Sequence, residues 1–230
     1  MVFGAFYIYT LDYYRASPVA LMATEGQQYV QVQTTDEMVV FQPEGMEAKT
    51  GFIFYPGGKV EYLSYAPLMQ GLAQQGYLCA LVKMPFNLAV FDIKAADKVI
   101  EKFSTINNWY IGGHSLGGAM TSAYAEKNAD KLKGIVFLAS YPSSDLSNTD
   151  LKMLAIYGSE DGVLNQETFE NSRENAPKDV QYYEIQGGNH AYFGSYGEQK
   201  GDGQGKITPE EQLDITLEVI LDFLNGQDLR

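Results

Sequence analysis

A chain of 230 residues with 45 % apolar side chains can build one large α/β domain or two small ones around a substantial core. Its 29 acidic and 16 basic residues leave a net charge of -13, which repels phosphate backbones and argues against nucleic acid as a partner. The single cysteine, Cys79, rules out an internal disulfide and a Cys-rich metal site.

The opening MVFGAFYIY is apolar but far shorter than the roughly 20 residues that span a bilayer. It lacks the basic stretch that begins a signal peptide. Residues 1–12 therefore read either as a buried leading segment or as the distal end of an N-terminal anchor. The first reading implies a cytoplasmic protein. The second implies a membrane-anchored or extracellular one, and composition does not choose between them.

From there, short apolar runs alternate with helical patterns, the signature of a mostly parallel sheet with crossover helices. QYVQVQ (28–33) and MVVFQP (38–43), joined by the turn TTDE, predict an antiparallel edge. GFIFYP (51–56) is a strand, and residues 62–75 form a helix stopped by Gly76. YLCALV (77–82) is a buried strand that carries Cys79 as a small core residue. Residues 91–103 are helical, WYIGG (109–113) is a strand, and 116–127 are helical. GIVFLAS (134–140) and LKMLAIYG (151–158) are strands, 166–175 a helix, and VQYYEI (180–185) a strand. Thr208, Pro209 and Glu211 supply a cap, an N1 proline and a capping-box partner for a last helix reaching about Asn225. No internal repeat or linker divides the chain, so residues 13–230 read as a single domain. The 17 tyrosines are spread through these elements and read as packing residues.

YIGGHSLGGAM (110–120) sets Ser115 between a strand and a helix. A sharp turn there holds a serine at an unfavourable backbone angle and presents its hydroxyl. Side chains two positions before or after would clash, hence Gly113 and Gly117. The helix start contributes a positive dipole end and free N–H groups. This G-x-S-x-G elbow, at a strand-turn-helix junction midway along the chain, resembles that of the α/β-hydrolase superfamily. The resemblance implies a mostly parallel sheet flanked by helices and a serine nucleophile.

A serine nucleophile needs a general base, and the chain has two histidines. His114 is in the elbow itself and points away from the cleft in such a turn. His190, in QGGNHAYFG, follows the last strand, where the superfamily carries its base. The acid should be a carboxylate between them, and YGSEDGVL places Asp161 past a strand end. The order Ser115, Asp161, His190 is that of the superfamily. Glu160 and Asp145 are the alternatives. The oxyanion hole needs two backbone donors: Leu116, after the nucleophile, and Gly58 in FYPGGKV, with Lys59 as the second choice. That loop resembles the H-G-G motif of esterases with proline in place of histidine.

From about Tyr13 onward, the run FYPGGKVEYLSYAPLMQGLAQQGYLCALVKMPFNLAVFD resembles a bacterial branch related in layout to dienelactone hydrolases. Those use cysteine; serine here implies ordinary ester chemistry. Members of the branch often carry an N-terminal membrane or export segment, which favours reading residues 2–9 as an anchor remnant. Phe86, Asn87 and Leu88, at the carboxyl edge of the sheet, are pocket candidates, with core packing an equal alternative for Phe86 and Leu88. KGDGQGKITPEE has the rhythm of a calcium loop, but aligned on Ile207 its first ligand position falls on Lys200, where a carboxylate is required. It reads as a glycine loop beside His190, and no metal or cofactor is expected. Only YPSSDLSNTD (141–150) separates two strands where lipases insert a helical lid, so the expected form is minimal and lidless. The expected activity is hydrolysis of short, soluble esters. Peptide or thioester cleavage on the same residues, or a silent binding scaffold, are the competing readings. Oligomeric state is left open.

Overall fold

Residues 52–55 read Phe-Ile-Phe-Tyr, and a strand sends successive side chains to opposite faces. In the computed structural model, which describes residues 9–26 and 29–227, Phe52 and Phe54 enter one apolar core and Ile53 and Tyr55 another. They belong to β3 (Thr50–Tyr55), near the middle of an eight-stranded sheet. The other strands are β1 (Val30–Thr34), β2 (Met38–Pro43), β4 (Leu78–Val82), β5 (Asn108–His114), β6 (Gly134–Leu138), β7 (Lys152–Gly158) and β8 (Asp179–Ile185). The sheet order is β1-β2-β4-β3-β5-β6-β7-β8. β1 and β2 pair antiparallel, as does β2 with β4, and every later pairing is parallel.

The helices are α1 (Pro18–Met22), α2 (Ala66–Gln74), α3 (Ala95–Lys102), α4 (Leu116–Asn128), α5 (Gln166–Asn171) and α6 (Pro209–Leu224). Leu68, Met69 and Leu72 of α2, with Ile220 and Phe223 of α6, cover the face bearing Phe52 and Phe54. Val99 of α3, Tyr124 of α4 and Phe169 of α5 cover the other. β4 and β6 are accordingly buried at every position, as parallel strands roofed on both sides must be. Cys79 is buried within β4.

Several boundaries follow local chemistry. Thr208 and Glu211 bond each other's backbone N–H in a full capping box, with Pro209 in the first turn. Gly76 has φ +95°, and the N–H groups of Gly76 and Tyr77 donate to Ala73 and Leu72, closing α2 with a left-handed cap. Residues 62–65, expected as α-helix, are a 3₁₀ turn leading into it. The helix expected over 91–103 begins at Ala95 instead. The Tyr55 hydroxyl takes the Ala96 N–H (2.9 Å) and donates to the Ile93 carbonyl (2.7 Å), so a side chain from β3 sets that helix start.

Residues 141–150 contain no helix or strand. The segment is tied down instead, with Ser143 Oγ donating to the Ala119 carbonyl and the Ser144 N–H donating to Ser122 Oγ. The arrangement is the minimal α/β-hydrolase fold expected, without a large lid insertion. Residues 1–8 lie outside the described residues, as does Gln28 at the start of the first expected strand. Among the described residues, no helix is long and apolar enough to cross a membrane.

Candidate active site

Because β5, β7 and β8 run parallel, their carboxyl ends share one edge of the sheet. Ser115 follows β5 directly, Asp161 lies just past β7, and His190 lies past β8. Residues distant in sequence therefore converge where ligands enter open α/β sheets.

Ser115 has φ 51° and ψ −120°, a left-handed conformation costly for a residue with a Cβ. The surroundings enforce it. Its N–H donates to the Leu138 carbonyl (3.0 Å), and its own carbonyl accepts from Ser140 Oγ (2.9 Å). A Cβ on Gly113 would sit 2.5 Å from the Gly117 carbonyl carbon, and one on Gly117 would sit 2.3 Å from the Tyr55 carbonyl oxygen. Both glycines are needed for the approach of α4 to the sheet.

His190 Nδ1 stands 2.9 Å from Asp161 Oδ2, and both side chains are almost wholly buried. A carboxylate oxygen can only accept, so Nδ1 carries the proton and Nε2 presents its lone pair. Nε2 is buried and has no hydrogen-bond partner among the described residues. Asp161 Oδ1 accepts the N–H groups of Val163 (2.8 Å) and Leu164 (2.7 Å), which leaves Oδ2 facing the ring. The alternatives are engaged elsewhere. Glu160 pairs with Lys206 (2.8 Å), and Asp145 accepts from the backbone and hydroxyl of Ser147.

Ser115 and His190 border one cavity of about 310 Å³, whose walls include Leu116, Ala139, Tyr141, Val163 and Leu164. The Ser115 hydroxyl makes no bond to Nε2 here. Such bonds are often loose before substrate arrives. Beside the serine, the N–H groups of Leu116 and Gly58 have no acceptor among the described residues. A Cβ on Gly58 would meet the Leu116 side chain at 2.9 Å, so the two are neighbours. The Lys59 N–H is already donated to the Asn87 carbonyl (2.8 Å), which makes Gly58 the better-placed donor of the two.

Phe86, Asn87 and Leu88 are not among the residues lining this cavity. Phe86 is half exposed, lines a separate cavity of about 290 Å³ with Lys83 and Asp92, and packs edge-on against Phe91. The loop's tie to the site is the Asn87 carbonyl that holds Lys59.

His114 turns away from the cavity but lies under His190, with ring centroids 4.6 Å apart. Its Nε2 is 3.1 Å from the His190 carbonyl, so Nε2 donates and Nδ1 accepts from the Tyr65 hydroxyl (2.8 Å). The Tyr65 oxygen in turn accepts the Gly57 N–H (3.1 Å). Burial holds the His114 pKa well below 6.5, and the neighbouring His190 pushes in the same direction. Below pH 6.5 the unfolded chain therefore takes up a proton that folded His114 refuses. Its contribution to stability is complete above pH 6.5 and is lost progressively as the pH falls. Thermal melts of His114→Gln should show a shallower loss of Tm below pH 6.5 than the wild type. Equal slopes would mean that His114 titrates alike in both states.

Sequence reasoning missed Tyr65, Gln212 and Asp202. Buried Gln212 of α6 exchanges two hydrogen bonds with the Asn189 backbone, pinning the residue before His190. Asp202 has a sequence signal, a lone carboxylate within a glycine run.

The alpha/beta hydrolase family model matches residues 51–214, a span holding Ser115, Asp161 and His190. Among solved structures, a predicted CIB-like hydrolase from Thermoplasma acidophilum is 17 % identical, with a TM-score of 0.60 over 83 % of this chain and 98 % of that one. Est1E from Butyrivibrio proteoclasticus is 13 % identical, with a TM-score of 0.61 over 87 % and 99 % of the two chains. At such identities the likeness is one of fold. No curated protein sequence matches the chain.

Proposed function

This chain belongs to the alpha/beta hydrolase family, and from that premise we propose that it is a serine hydrolase cleaving short, soluble carboxylic esters through an acyl-enzyme. One observation carries the reading. His190 is oriented by Asp161 and keeps a buried Nε2, without a partner among the described residues, on the cavity that Ser115 borders.

In the proposed reaction, Ser115 Oγ attacks the acyl carbon and its proton passes to His190 Nε2. Asp161 stabilises the imidazolium through Nδ1–H. The oxygen that becomes negative takes the N–H groups of Leu116 and Gly58. The C–O bond to the alcohol breaks, and His190 returns the proton to the leaving oxygen. Water then attacks the acyl-enzyme by the same path, releasing the acid and restoring Ser115. No step draws on a metal or cofactor. Residues 13–230 act as one catalytic unit, of the bacterial dienelactone hydrolase-like kind with serine in place of cysteine.

The cavity supports small substrates. At about 310 Å³ it lies at the low end for small-molecule sites, and the segment over 141–150 holds no helix that could close over it. A long acyl chain would find little apolar wall, at about 0.8 kcal/mol per methylene buried. On p-nitrophenyl esters from two to sixteen carbons, kcat/KM should peak at the short end and show no jump on emulsions. A peak at twelve carbons or longer, or interfacial activation, would overturn the short-ester assignment. Faster turnover of thioesters or peptides would reassign the reaction on the same residues.

A further inference from the structure

We propose that Asp202 is a positioning residue that clamps the acid loop to the base loop, a role that rests on the assignment of Asp161 and His190 given above. Neither of those residues lies in a helix or strand. Asp161 follows β7 and His190 follows β8, so both loops leave backbone N–H groups without ladder partners. A single carboxylate collects them. Asp202 Oδ1 accepts the N–H of Gly203 (2.7 Å), Gly162 (3.0 Å) and His190 (3.3 Å). Its Oδ2 accepts the N–H of Ala191 (2.8 Å). Gly162 is the residue after the acid, and Ala191 the residue after the base.

The glycines around Asp202 allow this approach. A Cβ on Gly203 would stand 1.9 Å from the Glu160 carbonyl oxygen, and one on Gly162 would stand 2.6 Å from the Gly203 nitrogen. The two loops meet backbone to backbone, with the carboxylate at the junction. An ionised carboxylate has roughly four acceptor sites and makes charge-assisted bonds stronger than neutral ones. An asparagine has the same size but half the acceptor capacity. Its amide would face an N–H group that it cannot accept.

The function follows from geometry. The Asp161–His190 contact at 2.9 Å depends on where the two backbones stand. A displacement of about 1 Å at such a contact costs on the order of 10²-fold in rate. Asp202 is not itself among the residues lining the cavity and bonds the backbone of His190 rather than its ring, so it acts through the placement of His190.

The test uses Asp202→Asn in the full chain. Expected are a kcat lowered by roughly 10- to 100-fold, little change in KM, and a loss or upfield shift of the low-field His190 Nδ1 proton in histidine-labelled NMR spectra. Wild-type kcat with an unchanged His190 signal would overturn the proposal, and so would a lower Tm with both readouts intact. Should Asp202→Asn fail to fold, amide exchange in the wild type decides. The N–H groups of Gly162, His190 and Ala191 should be protected, and exchange at open-loop rates would overturn the clamp. A wild-type protein that cleaves no ester would defeat the hydrolase reading, while the His190 signal and amide protection would still judge Asp202.

Discussion

Ser115→Ala should remove essentially all ester turnover, by roughly 10⁶-fold in kcat as for other serine hydrolases stripped of their nucleophile, and abolish labelling by a fluorophosphonate. The effect should be confined to chemistry. Among the described residues no hydrogen bond from the Ser115 hydroxyl supports the fold, whereas its backbone N–H and carbonyl are held by Leu138 and Ser140. Alanine keeps those backbone contacts and bears the same φ of 51° with no larger side chain. Tm should therefore stay close to that of the wild type. A variant that still turns over ester and still takes the probe would show that the nucleophile lies elsewhere. A wild type that neither labels nor hydrolyses would mark a silent scaffold, since a fold does not guarantee a reaction.

Asp161→Asn should lower kcat by about 10⁴-fold with the fold preserved. An asparagine carbonyl can still accept the N–H groups of Val163 and Leu164, the bonds that shape the loop. Its amide, however, donates toward His190 Nδ1 where a carboxylate accepts. The proton moves to Nε2, and the ring presents a donor to Ser115 when it should present a base. Glu160→Gln and Asp145→Asn should stay near the wild-type rate. The Lys206 ammonium and the Ser159 hydroxyl hold the Glu160 carboxyl below its ordinary range, with Glu160 turned toward Lys206. Asp145 serves its own turn through Ser147. If Asp161→Asn is fully active and one of these two is dead, the acid has been misassigned.

The sequence by itself determined whatever depends on neighbours a few positions away. Alternating and unbroken apolar runs specified the strands, because side-chain direction along a strand repeats every two residues. Thr208, Pro209 and Glu211 opened α6, and Gly76 closed α2, because caps are satisfied within one turn of the helix. The glycines flanking Ser115 announced the elbow for the same local reason, the absence of room for a Cβ. Tertiary structure decided the rest. It brought Asp161, and not adjacent Glu160, onto His190 across 29 positions of sequence. It engaged the Lys59 N–H with Asn87 and left that of Gly58 without an acceptor among the described residues. It moved the start of α3 to Ala95 through the Tyr55 hydroxyl, which takes the N–H of Ala96, 41 residues further along the chain. It buried His114 against Tyr65 and the His190 backbone, and it gathered four N–H groups onto Asp202. Each of these outcomes turns on which hydrogen-bond donor lies within about 3 Å of which acceptor. Strand order and loop packing set that distance; YGSEDGVL and FYPGGKV put Asp161 and Gly58 ahead of their neighbours, but the contacts themselves are made only in the fold.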